Sequence, residues 1–461
     1  MNRIVVIGNG FDKAHGLATG YKDFIDNYWD NFWNSIYGGY DCWQMRTYGV
    51  IKKPRSYEDE FIFFEVFERK SDRASIPSVP QSCSGSYGKV IEFLSRLNEK
   101  KEYSEDYEDC NFIGSVRMVF KNEFFEHISR YCSLTNWVDI ENEYYGKLKK
   151  LLDEDKVEIR NKKVQTLNKE FNAIKEHLGK YLAQVEEQSE LRPIDSIRKS
   201  FEYLIDLDDV AYCKSDLVFR SIQESMIGED AIMMQSDIEQ ATIYSWIPSR
   251  AGRNRHYLNG RLQEDSFRKE YLTPGKTLFL NFNYTSTAKR LYVPNVAGDN
   301  VVIDIHGQLG DDCNPVIFGY GDELDEDYKR IEKLQNNDFL ENIKSVCYYE
   351  TGNYRNLLGF IESEPYQVFI MGHSCGNSDR TLLNTLFEHR NCISVKVYYH
   401  QFEEGGDNYD QLICNLSRNF NDRATMRDKI VNKTRCLPLV PLSVNSIRNK
   451  SGRMDVESSS K

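Results

Sequence analysis

The chain has 461 residues, with 59 Lys and Arg against 71 Asp and Glu, for a formal charge of −12. Forty per cent hydrophobic residues supply a sizeable core, and the length suits two or three domains or one domain with a large insertion. The acidic balance argues against broad charge-driven nucleic-acid binding, and eleven scattered cysteines with no Cys-x-x-Cys argue against a disulfide scaffold or a zinc site.

Met1-Asn2-Arg3 leads directly into the apolar run 4–7, which is too short for a secretory leader. No stretch approaches the roughly 18 apolar residues that span a bilayer. The expected location is the cytoplasm, with reduced thiols and no membrane partner. The run 4–7 reads as a strand, and Gly8-Asn9-Gly10-Phe11-Asp12-Lys13-Ala14-His15-Gly16-Leu17 follows it as a turn into a helix. Such a turn brings backbone N–H groups to a phosphate at a helix N-terminus. It departs from G-x-G-x-x-G because Lys13 stands where the third glycine belongs, which disfavours an ordinary NAD-dependent dehydrogenase.

Residues 23–36 read as an amphipathic aromatic helix, and the Ser-, Pro- and Gly-rich stretch 71–88 as a loop. Val164, Leu167, Phe171, Ile174, Leu178, Tyr181 and Val185 recur at 3,4 spacing, which predicts a long helix packed on a partner helix within the same chain. Continuous apolar runs at 277–280, 301–305, 316–318, 368–371 and 393–399 read as strands of a sheet covered on both faces. The fold class is therefore α/β: a Rossmann-like, mostly parallel sheet with helices on both faces, interrupted by a large α-helical insertion. Residues 1–36 and 270–430 form the split core, 37–269 a regulatory or oligomerisation insertion, and 431–461 a partly disordered tail.

Polar residues follow the later strands, where an open α/β sheet places its ligand. They are Asn281-Phe282-Asn283-Tyr284-Thr285, His306-Gly307, and Gly372-His373-Ser374-Cys375-Gly376-Asn377-Ser378-Asp379. For each alone, a helix cap or a satisfied buried polar group is the simpler explanation; their joint placement is what marks a site.

The opening IVVIGNGFDKAHGLATGYKDF, then FLNFNYT, IHG, IFGYGDE and VFIMGHSCGNSD, resemble the AbiH family of phage abortive-infection proteins in order, over residues 1 to about 400. Residues 37–270 are matched mainly in length and in Asn136-Trp137-Val138-Asp139-Ile140-Glu141. At one remove the motifs resemble the sirtuin-like NAD-binding fold, through Gly8, Gly10 and Gly16, Asn283-Tyr284, His306-Gly307 and Gly372-x-Ser374. Two departures stand out: Thr285 replaces an Asp of the relatives, and the paired-cysteine zinc module is absent, which favours NAD hydrolysis over protein deacylation.

The resemblance implies an antiphage effector that hydrolyses NAD to nicotinamide and ADP-ribose, with NAD as substrate and no metal. Asn283 and His306 would be catalytic. Gly8, Asn9, Gly10, Phe11, Asp12, His15, Tyr284, Gly307, Gly372, Ser374 and Asp379 would bind the nucleotide, with Asp12 near the nicotinamide ribose and Ser374 near the adenosine. An enzyme that destroys NAD must be held inactive before infection, so a homo-oligomer and a phage-derived trigger or partner protein are expected.

Three other readings remain open at this level. Gly372-x-Ser374-x-Gly376 fits a serine-hydrolase elbow, with Asp379 or Asp407 and His389 or His400 completing a triad. The chain could be a non-catalytic nucleotide sensor. Arg250, Arg253, Arg255, His256 and Arg261, with Trp246 and Tyr257, could meet nucleic acid, although such clusters are more often solvated or paired within the molecule.

Overall fold

The computed structural model describes residues 1–37, 56–68, 102–107, 114–130, 137–226, 228, 231, 232, 234, 247, 249–261, 269–296 and 298–442. The loop reading at 71–88, Trp246 and the end of the tail, 443–461, lie outside the described residues. The chain forms two compact units, one of residues 1–17, 185–329 and 342–461, the other of 18–184 and 330–341. The division thus falls after Leu17 rather than after residue 36, and residues 185–269 belong with the sheet rather than with the insertion.

The first unit contains a six-stranded, all-parallel sheet of β1 (Asn2–Ile7), β6 (Lys276–Asn281), β7 (Asp299–Asp304), β8 (Tyr366–Met371), β9 (Cys392–Tyr399) and β10 (Leu437–Pro438), in the order β10-β9-β8-β1-β6-β7. Numbered one to six along the chain, these strands run 6-5-4-1-2-3, which is the doubly wound dinucleotide-fold order read from the other edge. Its switch point lies between β1 and β8. Ile4, Val6, Leu278, Leu280, Val368 and Ile370 enter one apolar core, and Val5, Ile7, Phe279, Phe369 and Met371 enter the other. Burial on both faces explains why these strands read as unbroken apolar runs.

Two expectations change here. Residues 316–318 are not a strand. Gly307 takes φ +82° and a Cβ there would lie 2.0 Å from the Pro315 oxygen, so the chain doubles back, and Ile317 N–H donates to the His306 carbonyl at 2.8 Å. The 431–461 segment is not a tail throughout, because β10 adds to the sheet edge and Arg435 Nε donates to Asp209 at 2.7 Å.

The second unit holds the helix Tyr21–Tyr37 and an antiparallel sheet of β2 (Ser56–Glu58), β3 (Ile62–Glu68), β4 (Glu102–Tyr107) and β5 (Gly114–Phe120), in the order β2-β3-β5-β4. A mainly helical segment was expected. The sequence Glu-Tyr-Ser-Glu-Asp-Tyr of β4 has no apolar alternation, and only its register against β5 makes it a strand. The stripe on the long helix Val157–Gln188 packs within the chain as expected: Val164, Leu167, Phe171, Ile174, Leu178 and Tyr181 are buried, and Phe171 stacks on Tyr144 with centroids 4.1 Å apart.

Register fixes where the site lies. Ile7 pairs with Asn281 and with Met371, and Asn281 pairs with Asp304, so four strands end level with one another. The segments that follow them emerge at one edge of the sheet.

The glycines after β1 have separable duties. The helix Asn9–Ala14 stops in a Schellman motif: Leu17 N–H donates to the Asp12 carbonyl, Gly16 N–H to the Lys13 carbonyl, and Gly16 takes φ +84° with open space where a Cβ would stand. Gly372 takes φ +74°, and a Cβ there would lie 2.0 Å from Phe11 N. Gly16→Ala is therefore predicted to cost only left-handed strain, about 1–2 kcal/mol. Gly372→Ala adds a backbone clash and is predicted to cost roughly 3 kcal/mol or more. Denaturant unfolding of the two variants checks the order, and equal losses would contradict it.

Candidate active site

At the switch point the turn after β1 meets the turn after β8. A Cβ on Gly8 would lie 2.5 Å from His373 Cα, and one on Gly10 would lie 2.9 Å from the Gly372 oxygen. Gly8 N–H donates to the Met371 carbonyl, Gly10 N–H to the Gly372 carbonyl, and Phe11 N–H to the Gly8 carbonyl. In this conformation three amides assigned to a phosphate cradle are thus bonded within the protein. The bare glycines admit a neighbouring turn rather than a pyrophosphate.

The segment after β6 is built on Asn281. Its Nδ2 donates to the Asp304 carboxylate at 2.8 Å and to the Thr285 carbonyl, and its Oδ1 receives Asn283 N–H. This bracing aims the buried Asn283 side chain at the β1 turn, where its Nδ2 donates to the Gly8 carbonyl at 3.1 Å. Thr285 donates to Asp12 Oδ2 at 2.5 Å. An aspartate at 285 would set a second carboxylate against Asp12 at that distance, so threonine suits this chain. Asp12 Oδ1 is buried without a hydrogen-bond partner. Burial pushes Asp12 up to about 6, against the downward pull of Thr285, Thr287 and Asn283.

The other side of the site is a buried cluster of polar and charged groups. Asp379 stands at the N-cap of the helix Arg380–Glu388, yet its side chain makes no capping bond. Oδ1 instead meets Lys344 Nζ at 2.8 Å and His306 Nε2 at 3.2 Å, and Oδ2 lies 3.5 Å from His373 Nε2. Cys375 N–H donates to His373 Nδ1, so that ring carries its proton on Nε2, toward Asp379. Phe282 lies between the two imidazoles, with centroids 5.0 Å from His306 and 4.3 Å from His373. Tyr348 OH lies 3.3 Å from His306 Nε2, and the Tyr284 ring is centred 6.5 Å from that imidazole.

Burial opposes charge on Asp379, but Lys344 and the two histidines hold its carboxyl well below the usual range. Burial first, and then the Lys344 charge, push His306 down to about 4. The His306–Asp379 contact is therefore a hydrogen bond from a neutral imidazole to a carboxylate, and not an ion pair. Lys344 and His373 carry no sequence signal of a role: one lies in a short mixed segment, Asn342-Ile343-Lys344-Ser345-Val346, and the other is one member of the Gly372–Asp379 turn.

Not every predicted residue joins this cluster. Phe11 is buried in the opposite core, and His15 bonds the Phe11 carbonyl and Tyr292 OH there. Asn9 is half-buried at the start of its helix, and Gly307 shapes a turn.

Ser374 is exposed, and its hydroxyl makes no hydrogen bond among the described residues. The non-glycine left-handed residue of that turn is Cys375, φ +54°, one position after Ser374. His389 stacks on Tyr366 at the other end of β8, and Asp407 pairs with Lys433. His400 lies against Phe402, with centroids 5.5 Å apart, and among the described residues no histidine hydrogen-bonds Ser374. Of the basic cluster, Arg255 donates to the Leu207 and Val210 carbonyls and Arg253 to the Ile247 carbonyl, so both are engaged within their own unit. Among the described residues no group of His, Cys, Asp or Glu is arranged to hold a metal, every cysteine is a free thiol, and no helix is long and apolar enough to cross a membrane.

Asp12 generates a test of this electrostatic picture. A carboxyl whose folded value lies above its unfolded one binds its proton more tightly when folded. Its stability cost grows as pH rises from 3.8 through about 6 and is constant above that, at roughly 3 kcal/mol for two units. Asp12→Asn keeps an acceptor for Thr285 and removes the charge. Its melting temperature relative to the parent is predicted to rise between pH 4.5 and pH 8, read by thermal denaturation at about those two values. A pH-independent difference would mean that the carboxyl is not shifted.

No curated protein and no solved structure matches the chain. Residues 4–400 match the family described as "Bacteriophage abortive infection AbiH". The match runs from β1 through β9 and takes in every residue of the cluster above. The chain belongs to the AbiH family, and its role is in phage abortive infection.

Proposed function

We propose that the chain acts in abortive infection by hydrolysing NAD to nicotinamide and ADP-ribose at the buried polar cluster. One observation carries this reading: Asn283 and His306 follow adjacent strands, β6 and β7, at the same end of a sheet with the dinucleotide-fold order. Neither side chain is needed there to cap a helix.

In this reaction a water oxygen bonds to ribose C1′. The C1′–nitrogen bond breaks with its electron pair going to the nicotinamide ring, which leaves neutral and needs no general acid. Asn283 orients the ribose or the water through its amide, and His306 accepts the water's proton. Asp12, with one unpartnered oxygen beside Asn283, is suited to a ribose hydroxyl.

Both assigned catalytic side chains are buried, and the Gly8–Phe11 amides are bonded internally. Entry of a dinucleotide therefore requires the turn after β8 to withdraw from the turn after β1. A resting state of this kind fits an enzyme held off until infection, with release by a phage-derived component or a change in a homo-oligomer.

Purified protein, with and without extract of phage-infected cells, would be incubated with NAD and the products separated by chromatography. Nicotinamide and ADP-ribose are expected, with His306→Ala and Asn283→Ala each reducing release about 10²–10⁴-fold while remaining folded. Intact NAD under every condition, or undiminished release by a folded His306→Ala, would overturn the proposal.

A further inference from the structure

We infer that Lys344 and Asp379 form a positioning pair for His306, with the carboxylate fixing the imidazole's proton on Nε2 and the ammonium keeping the ring neutral, so that Nδ1 is the basic nitrogen. The placement stands on geometry alone; its catalytic meaning rests on the NAD-hydrolysis reading.

Lys344 is 1% exposed, and its ammonium lies 2.8 Å from Asp379 Oδ1. A buried lysine is expensive unless it is paired, and nothing in the strand core requires a charge here. Asp379 in turn forgoes the capping role that its helix position offers. Two residues 35 apart in sequence thus meet at a point where each is costly alone.

The carboxylate can only accept hydrogen bonds, so His306 Nε2, 3.2 Å from the same oxygen, must carry hydrogen in that contact. Nδ1 keeps the lone pair. The Asp379 carboxylate already accepts from the Lys344 ammonium, so a second cation on the ring would be buried beside that ammonium and repelled by it.

The charged and titratable neighbours among the described residues bear on this balance. Lys344 and Tyr348 face the ring from the helix Lys344–Cys347 and its cap, and Tyr284 from the segment after β6. His373 and Asp379 face it from the segment after β8, where Cys375 is buried with its thiol pushed up above its ordinary value. Arg380 turns to Asp322, at 3.2 Å, and forms a separate pair.

The test reads the ring and not turnover. Protein labelled with ¹⁵N in its eight histidines, with His306 assigned by loss of its signals in His306→Ala, would be titrated by long-range ¹H–¹⁵N correlation spectra. The expected result is an Nε2–H neutral tautomer for His306 that persists down to about pH 5. Lys344→Met should raise the midpoint by about one pH unit or more, whereas Lys344→Arg should hold it low.

An Nδ1–H tautomer in the parent protein, or an unchanged midpoint in Lys344→Met, would overturn the inference. Should Lys344→Met fail to fold, the parent tautomer and the Lys344→Arg titration decide alone. The expected spectra without any nicotinamide release would retire the NAD reading and leave the positioning pair intact. Nicotinamide release with an Nδ1–H ring would do the reverse.

Discussion

The approach of two backbones at the switch point governs the rest of the first unit. β1 and β8 are neighbours in the sheet, and their following turns touch with no space for a Cβ at Gly8, Gly10 or Gly372. That contact sets His373 over Gly8, which brings its ring against Phe282, and it directs the chain onward to Asp379. It also engages two amides of the first turn, Gly8 N–H with the Met371 carbonyl and Gly10 N–H with the Gly372 carbonyl. One packing event both assembles the polar cluster and closes it.

The cluster resolves an electrostatic problem that it also creates. A buried aspartate, lysine and two histidines would be prohibitive unless their charges and hydrogen bonds matched. Asp379 spends both oxygens on Lys344 and the imidazoles, and burial together with the Lys344 charge pushes His306 down. Asp12 shows the opposite solution. With Thr285 on one oxygen and nothing on the other, burial raises it toward neutrality. Two carboxyls at one sheet edge are thus driven apart, the separation that acid–base chemistry uses.

Much of the fold was legible because a two-sided parallel sheet writes itself as unbroken apolar runs, and five of the six strand readings coincide with strands. The reading at 316–318 failed because Ile317 and Phe318 are buried outside the ladder, and burial alone cannot distinguish a strand from a packed return segment. β4 was invisible because its polar sequence takes its conformation from β5. Asn283, His306 and Asp379 were legible by their positions after strands. Phe11 and His15 shared the glycine segment with Asp12, but the helix there turns them to the opposite face.

Composition, strand periodicity and the glycine turn determined the α/β class and the edge of the sheet at which polar chemistry would gather, because these depend on local pattern and the chain carries it. Tertiary structure decided which polar residues meet. Lys344 reaches Asp379 from a one-turn helix too short to carry a periodic signal, and Ser374 is left outside although its motif is intact. It also decided the charge on His306, since a protonation state is set by the dielectric and the neighbours around a group, and a sequence specifies neither until it folds.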